Sequence, residues 1–307
     1  MKHLHQFGRE ALAPSNDLAA RLNGNYGRLE DRLRVSGWAR YSLADLPYPP
    51  WLLDEFERFA KLALLDLPAD RDDPTRQRRR RYGRFLWIPS LGVLLPVARE
   101  VDVAGAIVTH FVQGADFQPE LGGKVREFGA LTEPIFRSPV LRALIEADWR
   151  VARRADVLPE STVYLVGAHI QKLQPRRQKK SNITPNTTHR DGELATFVHM
   201  LDVRNVIGGW NAVTMLDGVG HHPSELAPSR VLARFTLKDV GAGFVVDDRK
   251  VGHFLEGVRL EDPAQPGHRA TLLIDFCPAR WLLSNESPPT AEAGAVTRLT
   301  VGGGRIA

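Results

Sequence analysis

The spacing of apolar positions changes character along this chain, helical first and strand-like later. Ala11 to Leu22 is a short, weakly amphipathic stretch. Trp51-Leu-Leu-Asp-Glu-Phe-Glu-Arg-Phe-Ala-Lys-Leu-Ala-Leu-Leu65 is a better helix: Trp51, Phe56, Phe59 and Leu62 or Ala63 fall near helical spacing, and Pro49-Pro50 suits a helix entry. Its aromatic stripe reads as core. Lys124 to Ala152 carries a second helical region, divided into two or three helices by Pro134 and Pro139, since an interior proline removes a helical hydrogen bond. From Ser161 onward come short β-branched runs: Thr162-Val-Tyr-Leu-Val166, Ala195-Thr-Phe-Val-His-Met-Leu201, Ala212-Val-Thr-Met-Leu216, Val231 to Leu237, Gly243-Phe-Val-Val246 and Ala270 to Phe276. Turn signals separate them at short intervals, which predicts a sandwich or barrel. Asp217 to Pro228 reads as a loop and Gly302-Gly-Gly304 as part of a loose tail.

Within the strand-rich half, His189-Arg190-Asp191 is answered much later by His253. Two imidazoles and one carboxylate match the 2-His-1-carboxylate facial triad of non-haem Fe(II) oxygenases. If the tripeptide is extended, period-two alternation puts His189 and Asp191 on one face, able to reach one ion, while Arg190 points away. Taken alone, the same residues also read as a turn histidine, an Asp-Gly hairpin signal and a buried core histidine. With a metal inside, the succession of short strands becomes a mainly β protein with flanking helices, its core a double-stranded β-helix, the cupin-like jelly-roll. Arg269 opens the β-prone run Arg269-Ala-Thr-Leu-Leu-Ile-Asp-Phe276, where a guanidinium could form a two-pronged ion pair with a dicarboxylic co-substrate.

The motifs Tyr164-Leu-Val-Gly-Ala-His-Ile-Gln171, Thr184-Pro185 ahead of His189-Arg-Asp-Gly192, Asn205-Val-Ile-Gly-Gly209, and Asp247-Asp248-Arg249 before Val251-Gly-His253 run from Tyr164 to Phe276. This stretch resembles the bacterial 2-oxoglutarate/Fe(II) dioxygenase family that includes free amino-acid hydroxylases such as the L-isoleucine dioxygenase. The resemblance implies iron ligands at His189, Asp191 and His253, with Arg269 gripping the distal carboxylate of 2-oxoglutarate. It implies Fe(II) as cofactor, 2-oxoglutarate and O2 as co-substrates, and a free amino acid or close derivative as the small-molecule substrate. The reaction expected is oxidation, as hydroxylation, of an unactivated C–H bond with release of succinate and CO2; a desaturase or cyclising oxidase would use the same centre. Asp191 fills the carboxylate position, which disfavours a halogenase. Trp210 stands where a small polar or acidic residue is expected, a departure that points to a different substrate preference.

Other polar residues carry two readings. His169 and Gln171 alternate on one strand face with Leu173, so they point inward together towards co-substrate or substrate, or form a structural polar pair. Asp247 and Asp248 suit a charged hairpin or support for His253, the hairpin being preferred for at least one of them. His221-His222 reads as an exposed pair in a loop.

Composition adds bounds. At 307 residues with 43% hydrophobic and 25% charged, the chain is ordinary globular material. We expect one domain over residues 1–307, with 1–155 a largely helical buttress plus early strands and 156–285 the jelly-roll core. The one cysteine, Cys277, has no intramolecular partner, no apolar leader follows Met1, and no run approaches the roughly 20 apolar residues of a membrane span, so a cytoplasmic protein is expected. The net charge of +5 is concentrated in Arg76-Gln-Arg-Arg-Arg-Arg81 and Arg176-Arg-Gln-Lys-Lys180. A nucleic-acid oxygenase would set both on phosphates, but the second run has no interleaved aromatic for stacking. The first reads instead as a solvated strand edge guarded by charge, with a minority reading in which one arginine reaches the substrate carboxylate. A non-catalytic metal- or ligand-binding jelly-roll would keep the fold without needing both the triad and Arg269.

Overall fold

A computed structural model describes residues 28–114, 117, 123–159, 162–177, 179–182 and 186–280. The stretch Ala11–Leu22, the Thr184-Pro185 pair and the C-terminal Gly-rich tail lie outside the described residues.

Four helices pack on one face of a large sheet: α1 (Leu29–Ser36), α2 (Trp51–Ala63), α3 (Glu133–Phe136) and α4 (Pro139–Arg154). In α2 the buried side chains are Leu52, Phe56, Phe59, Ala60 and Ala63, a stripe that follows helical spacing from Leu52. Trp51 and Leu62 lie outside it, 41% and 40% exposed, because the apolar face is centred one position later than the aromatic residues alone suggest. Helix α4 begins at Ser138, whose hydroxyl accepts the Val140 N–H, with Pro139 in the first turn, where its missing N–H costs nothing. The segment expected to be helical from Lys124 instead starts as a strand, Arg126–Ala130, and turns helical only after Thr132. Alternating burial along that strand, with Arg126, Phe128 and Ala130 inward, is a two-residue period that a helical reading passes over.

The large sheet runs in the order β1 (Trp38–Tyr41), β12 (Gly243–Asp247), β8 (Ala195–Arg204), β15 (His268–Pro278), β7 (Tyr164–Leu173), β2 (Arg78–Ile88), β6 (Arg126–Ala130), β5 (Ile107–Phe111) and β4 (Glu100–Val101), with β3 (Val93–Pro96) also on β2. A second sheet orders β11 (Val231–Thr236), β10 (Trp210–Met215) and β13 (Val251–Leu255); β9 (Val206–Gly208) pairs with β14 (Val258–Leu260). This is a jelly-roll, and N-terminal strands are built into its main sheet rather than only buttressing it. The arginine-rich segment is part of this: β2 is paired by β7 and β6, so it is an interior strand and not a solvated edge. Arg78 and Arg80 point inward, 3% and 8% exposed, while Arg79 points out.

Period-two alternation gives the large sheet two unlike faces. Towards the helices it presents Val166, Ala168 and Ile170 of β7, Leu272, Ile274 and Phe276 of β15 and Phe197 of β8, in one core with Phe56, Phe59, Leu141 and Leu144. Each large side chain buried there contributes about 1.5–3 kcal/mol. On the opposite face, Val198, Met200, Phe244 and Val246 pack against Val213, Phe235 and Val251 of the smaller sheet and its flank, closing one end of the sandwich. The rest of that face carries the polar side chains of β2, β7 and β15, and these line a cavity. Among the described residues no helix is long and apolar enough to cross a membrane.

Candidate active site

His189 and His253 are joined by an isolated antiparallel bridge in which each backbone N–H donates to the other's carbonyl at 2.9 Å. The bridge brings a loop residue beside β13 and sets the two rings 4.4 Å apart. Asp191 follows within reach of both: its carboxylate lies 3.3 Å from His253 Nε2 and 3.9 Å from His189 Nε2. The three donor atoms all fall within 4.8 Å of one another, so one ion can touch all of them. The tripeptide is not a regular strand as expected; His189 alone is bridged, and the chain bends at Gly192.

That bend is held from the hairpin before β13. Gly192 has φ +85°, a conformation costly for other residues, and its N–H donates to Asp248 Oδ2 at 2.6 Å. Arg190 Nε donates to the Asp248 carbonyl at 2.7 Å. Asp248 Oδ1 also lies 3.8 Å from His253 Nδ1, so one carboxylate fixes the loop of two donors and faces the ring of the third. Asp247 is turned to Arg249, which donates from Nε at 2.9 Å and from Nη2 at 3.0 Å. The two aspartates therefore divide the two roles their sequence allowed.

Electrostatics favour a cation here. Burial and the nearby His253 push His189 down to about 4, against the opposing pull of Asp191 and the Thr187 carbonyl, so the ring is neutral at pH 7. Its Nδ1 lies 3.0 Å from that carbonyl, which places the proton on Nδ1 and leaves the Nε2 lone pair for a metal. Burial would raise Asp191, but His253, His189 and Arg80 outweigh it and hold the carboxylate ionised. Burial would lower His253, but the carboxylates of Asp191 and Asp248 raise it above the usual histidine value. Burial and Asp191 push Asp248 up to about 7.

Arg269 enters from β15, opposite Leu173 of β7 and Val203 of β8. It is 3% exposed, yet its Nε and Nη2 have no hydrogen-bond partner, and burial pushes the guanidinium down to about 10. A buried fork of donors without an acceptor suits a carboxylate ligand. The Gly208-Gly209 turn makes room for it: a Cβ at Gly209 would lie 2.8 Å from Val258 Cγ1 and 3.2 Å from Arg269 Cδ. Gln171 and His169 both face the cavity as expected. Gln171 Oε1 is buried without a partner, whereas both nitrogens of His169 face protein groups: Nδ1 is 2.6 Å from Arg80 Nη2 and Nε2 is 3.4 Å from Asp275 Oδ2. His222 packs on Trp210 and Phe254 and His221 is exposed; neither joins the cluster.

Sequence reasoning missed Arg126, Asp275 and Asn211, all of which line the cavity. The signal for Asp275 was available, since it shares parity with Arg269 in β15; Arg126 was hidden by the helical reading of its segment.

The family model described as 2OG-Fe dioxygenase matches residues 63–275, and the chain belongs to that family. By its description that is a family of 2-oxoglutarate-dependent iron dioxygenases, a class that uses Fe(II), 2-oxoglutarate and O2. The chain is 24% identical over 138 residues to an L-isoleucine-4-hydroxylase of Bacillus thuringiensis, a match covering 44% of this chain and 53% of that protein. It is 25% identical over 167 residues to a 3(1)-hydroxy-L-isoleucine 4-dioxygenase of Pantoea ananatis (strain AJ13355), covering 54% and 63%. The matches thus span less than two thirds of either relative. Among solved structures, a bsmA homolog from Methylobium petroleophilum PM1 shares the fold with a TM-score of 0.63 at 23% identity, over 81% of this chain and 92% of that one. The residues present fit the implied metal: two neutral-capable imidazoles and one ionised carboxylate converge on a point, leaving other coordination positions open.

Proposed function

We propose that His189, Asp191 and His253 hold Fe(II), that Arg269 receives the distal carboxylate of 2-oxoglutarate, and that the enzyme hydroxylates an unactivated C–H bond of a free amino acid or close derivative. The observation that carries this reading is the convergence of the three donors beside a buried guanidinium with unpaired donors. When bound, the iron supplies activation of O2 coupled to oxidation of 2-oxoglutarate to succinate and CO2. The chain's own residues do the positioning. Thr187 fixes the His189 tautomer, Asp248 holds the loop of Asp191 and faces the His253 ring, and Gln171 offers an unpaired oxygen on the strand beside Arg269. The names of the two relatives support an amino-acid substrate.

The test is anaerobic addition of Fe(II) and then 2-oxoglutarate, followed by visible spectroscopy of the chelate's charge-transfer band. The band is expected in the native protein, absent in His189→Ala and weakened in Arg269→Ala. With a band in hand, products of aerobic turnover with amino acids are read by mass, where a gain of one oxygen identifies hydroxylation. A correctly folded native protein that shows no band would sink the ligand assignment.

A further inference from the structure

Two buried guanidiniums, neither in an ion pair among the described residues, enter the same cavity from β2 and β6. Arg80 is 8% exposed and Arg126 is 5% exposed. Both lie against the same two rings: Arg80 is 4.2 Å from the centre of Phe128 and 5.7 Å from that of Phe111, and Arg126 is 5.0 and 4.9 Å from them. Arg80 Nε has no partner, and the Arg126 guanidinium makes no hydrogen bond or ion pair with the described residues. Their neighbour Arg78 shows the ordinary solution, donating to Asp70 at 2.6 Å. Burial, then the charge of Arg126, pushes Arg80 down to about 9. Asp70, already paired with Arg78, draws on both from a distance, but neither has an ion pair of its own; two like charges buried in that way are costly, and an anion bound between them relieves the cost.

A carboxyl group stands at the other end of the same line. His169, between Arg80 and Asp275, is kept neutral by burial and by both arginines. Its Nδ1 accepts from Arg80 Nη2, so Nε2 carries the proton and faces Asp275 Oδ2 at 3.4 Å. Asp275 Oδ1 accepts the Gly167 N–H at 3.1 Å. Any Cβ at Gly167 would collide with that carboxylate, so the glycine is what lets Asp275 lie over β7. The result is guanidinium, imidazole and carboxyl in a row across β2, β7 and β15, on the cavity wall that also holds Arg269. A guanidinium and a carboxyl set one imidazole apart suit the two head groups of a single α-carbon, the arriving ammonium favouring the ionised carboxylate.

We propose that Arg80 and Arg126 receive the carboxylate, and Asp275 the ammonium, of a free α-amino acid substrate. This rests on the amino-acid reading above and deepens it: the site requires both head groups uncapped. The substrate's side chain is then left to extend along the apolar lining of Val198, Phe244 and Leu273.

The experiment is calorimetric titration of the full-length protein, loaded with Mn(II) and 2-oxoglutarate, with the twenty common L-amino acids, then with the methyl ester and N-acetyl derivative of the tightest binder. We expect at least one free amino acid to bind and each capped form to bind at least tenfold more weakly. Arg126→Gln and Asp275→Asn should each weaken the free amino acid at least tenfold and change 2-oxoglutarate affinity less than twofold, with Arg126→Lys retaining most of the binding. Circular dichroism establishes that each variant is folded. Capped forms binding as well as the free amino acid would overturn the proposal, as would variants that lose 2-oxoglutarate and keep the amino acid. Binding of Mn(II) and 2-oxoglutarate with no response to any amino acid would overturn it and leave the metal and co-substrate assignments standing. Failure to bind 2-oxoglutarate at all would remove the reading on which it rests.

Discussion

Asp275 shows how one buried carboxyl couples position to pH. Burial and the charge of Asp191 push it up to about 7, against the Gly167 amide and Arg80. An unfolded aspartate ionises near 3.9. Between those values the ligand-free folded protein keeps a proton that the unfolded chain has released. The stabilising contribution is therefore full below about pH 4 and is lost as pH rises towards 7. Asp275→Asn removes this dependence, so over that interval the variant should gain stability relative to the parent by up to ~1.4 kcal/mol per pH unit, levelling off above pH 7. Urea midpoints at pH 5 and pH 8 check it; an unchanged difference between the two proteins would show that Asp275 ionises normally. At the same scale, residue type and parity made His189, Asp191, His253, Arg269, His169 and Gln171 legible in the sequence. Arg80 was not singled out, because a run of arginines is ordinarily a solvated face and only the pairing of β2 inside the sheet turns alternate ones inward; Arg126 was hidden because its short strand leads straight into helices.

Helix α4 and strand β8 are locked by a polar pair on the helix side of the sheet. His199 Nε2 lies 2.8 Å from Asp148 Oδ2, both fully buried, and Tyr41 Oη lies 3.2 Å from His199 Nδ1. Burial raises the Asp148 carboxyl, with His199 drawing it back. His199→Leu strands that carboxyl, and the expected cost is about 3–5 kcal/mol in urea denaturation. Adding Asp148→Leu should recover much of the loss, since an apolar pair avoids the desolvation that two buried polar groups must offset. A double variant as unstable as the single one would mean that the loss comes from packing and not from the isolated charge. The elements here were partly legible: α2 and strands β7, β8, β10, β11, β12 and β15 fall on apolar runs, while β9, β13 and β14 were not read and β6 was taken for helix, being short and followed directly by true helices.

The donors of the metal site come from separate parts of the molecule. His189 and Asp191 lie on the loop before β8, His253 on the smaller sheet and Arg269 on the larger, so ligands that bind them all tie the two sheets together. Only the folded state offers such a site, and occupancy at 100 times the dissociation constant stabilises by about 2.7 kcal/mol. For a chain of this size, Mn(II) with 2-oxoglutarate should raise Tm by about 4 °C. Asp191→Ala should lose most of that rise, because Mn(II) prefers oxygen donors and the remaining imidazoles bind it weakly. Scanning calorimetry with and without the two ligands measures it, and a full rise in the variant would exclude Asp191 as a ligand.

The sequence by itself determined the chemistry available and the class of fold: donor types at workable spacings, strand-length apolar runs, and motifs that resemble a known oxygenase family. Those signals are local, carried by residue identity and by periods of two and 3.6. Only the tertiary structure decided which charges are buried together, that Asp248 clasps the loop of the other two donors, and that Arg80, His169 and Asp275 line up across three strands. Each of these depends on strand order and register, which join β2, β7 and β15 from distant parts of the chain, and no local pattern encodes that neighbourhood.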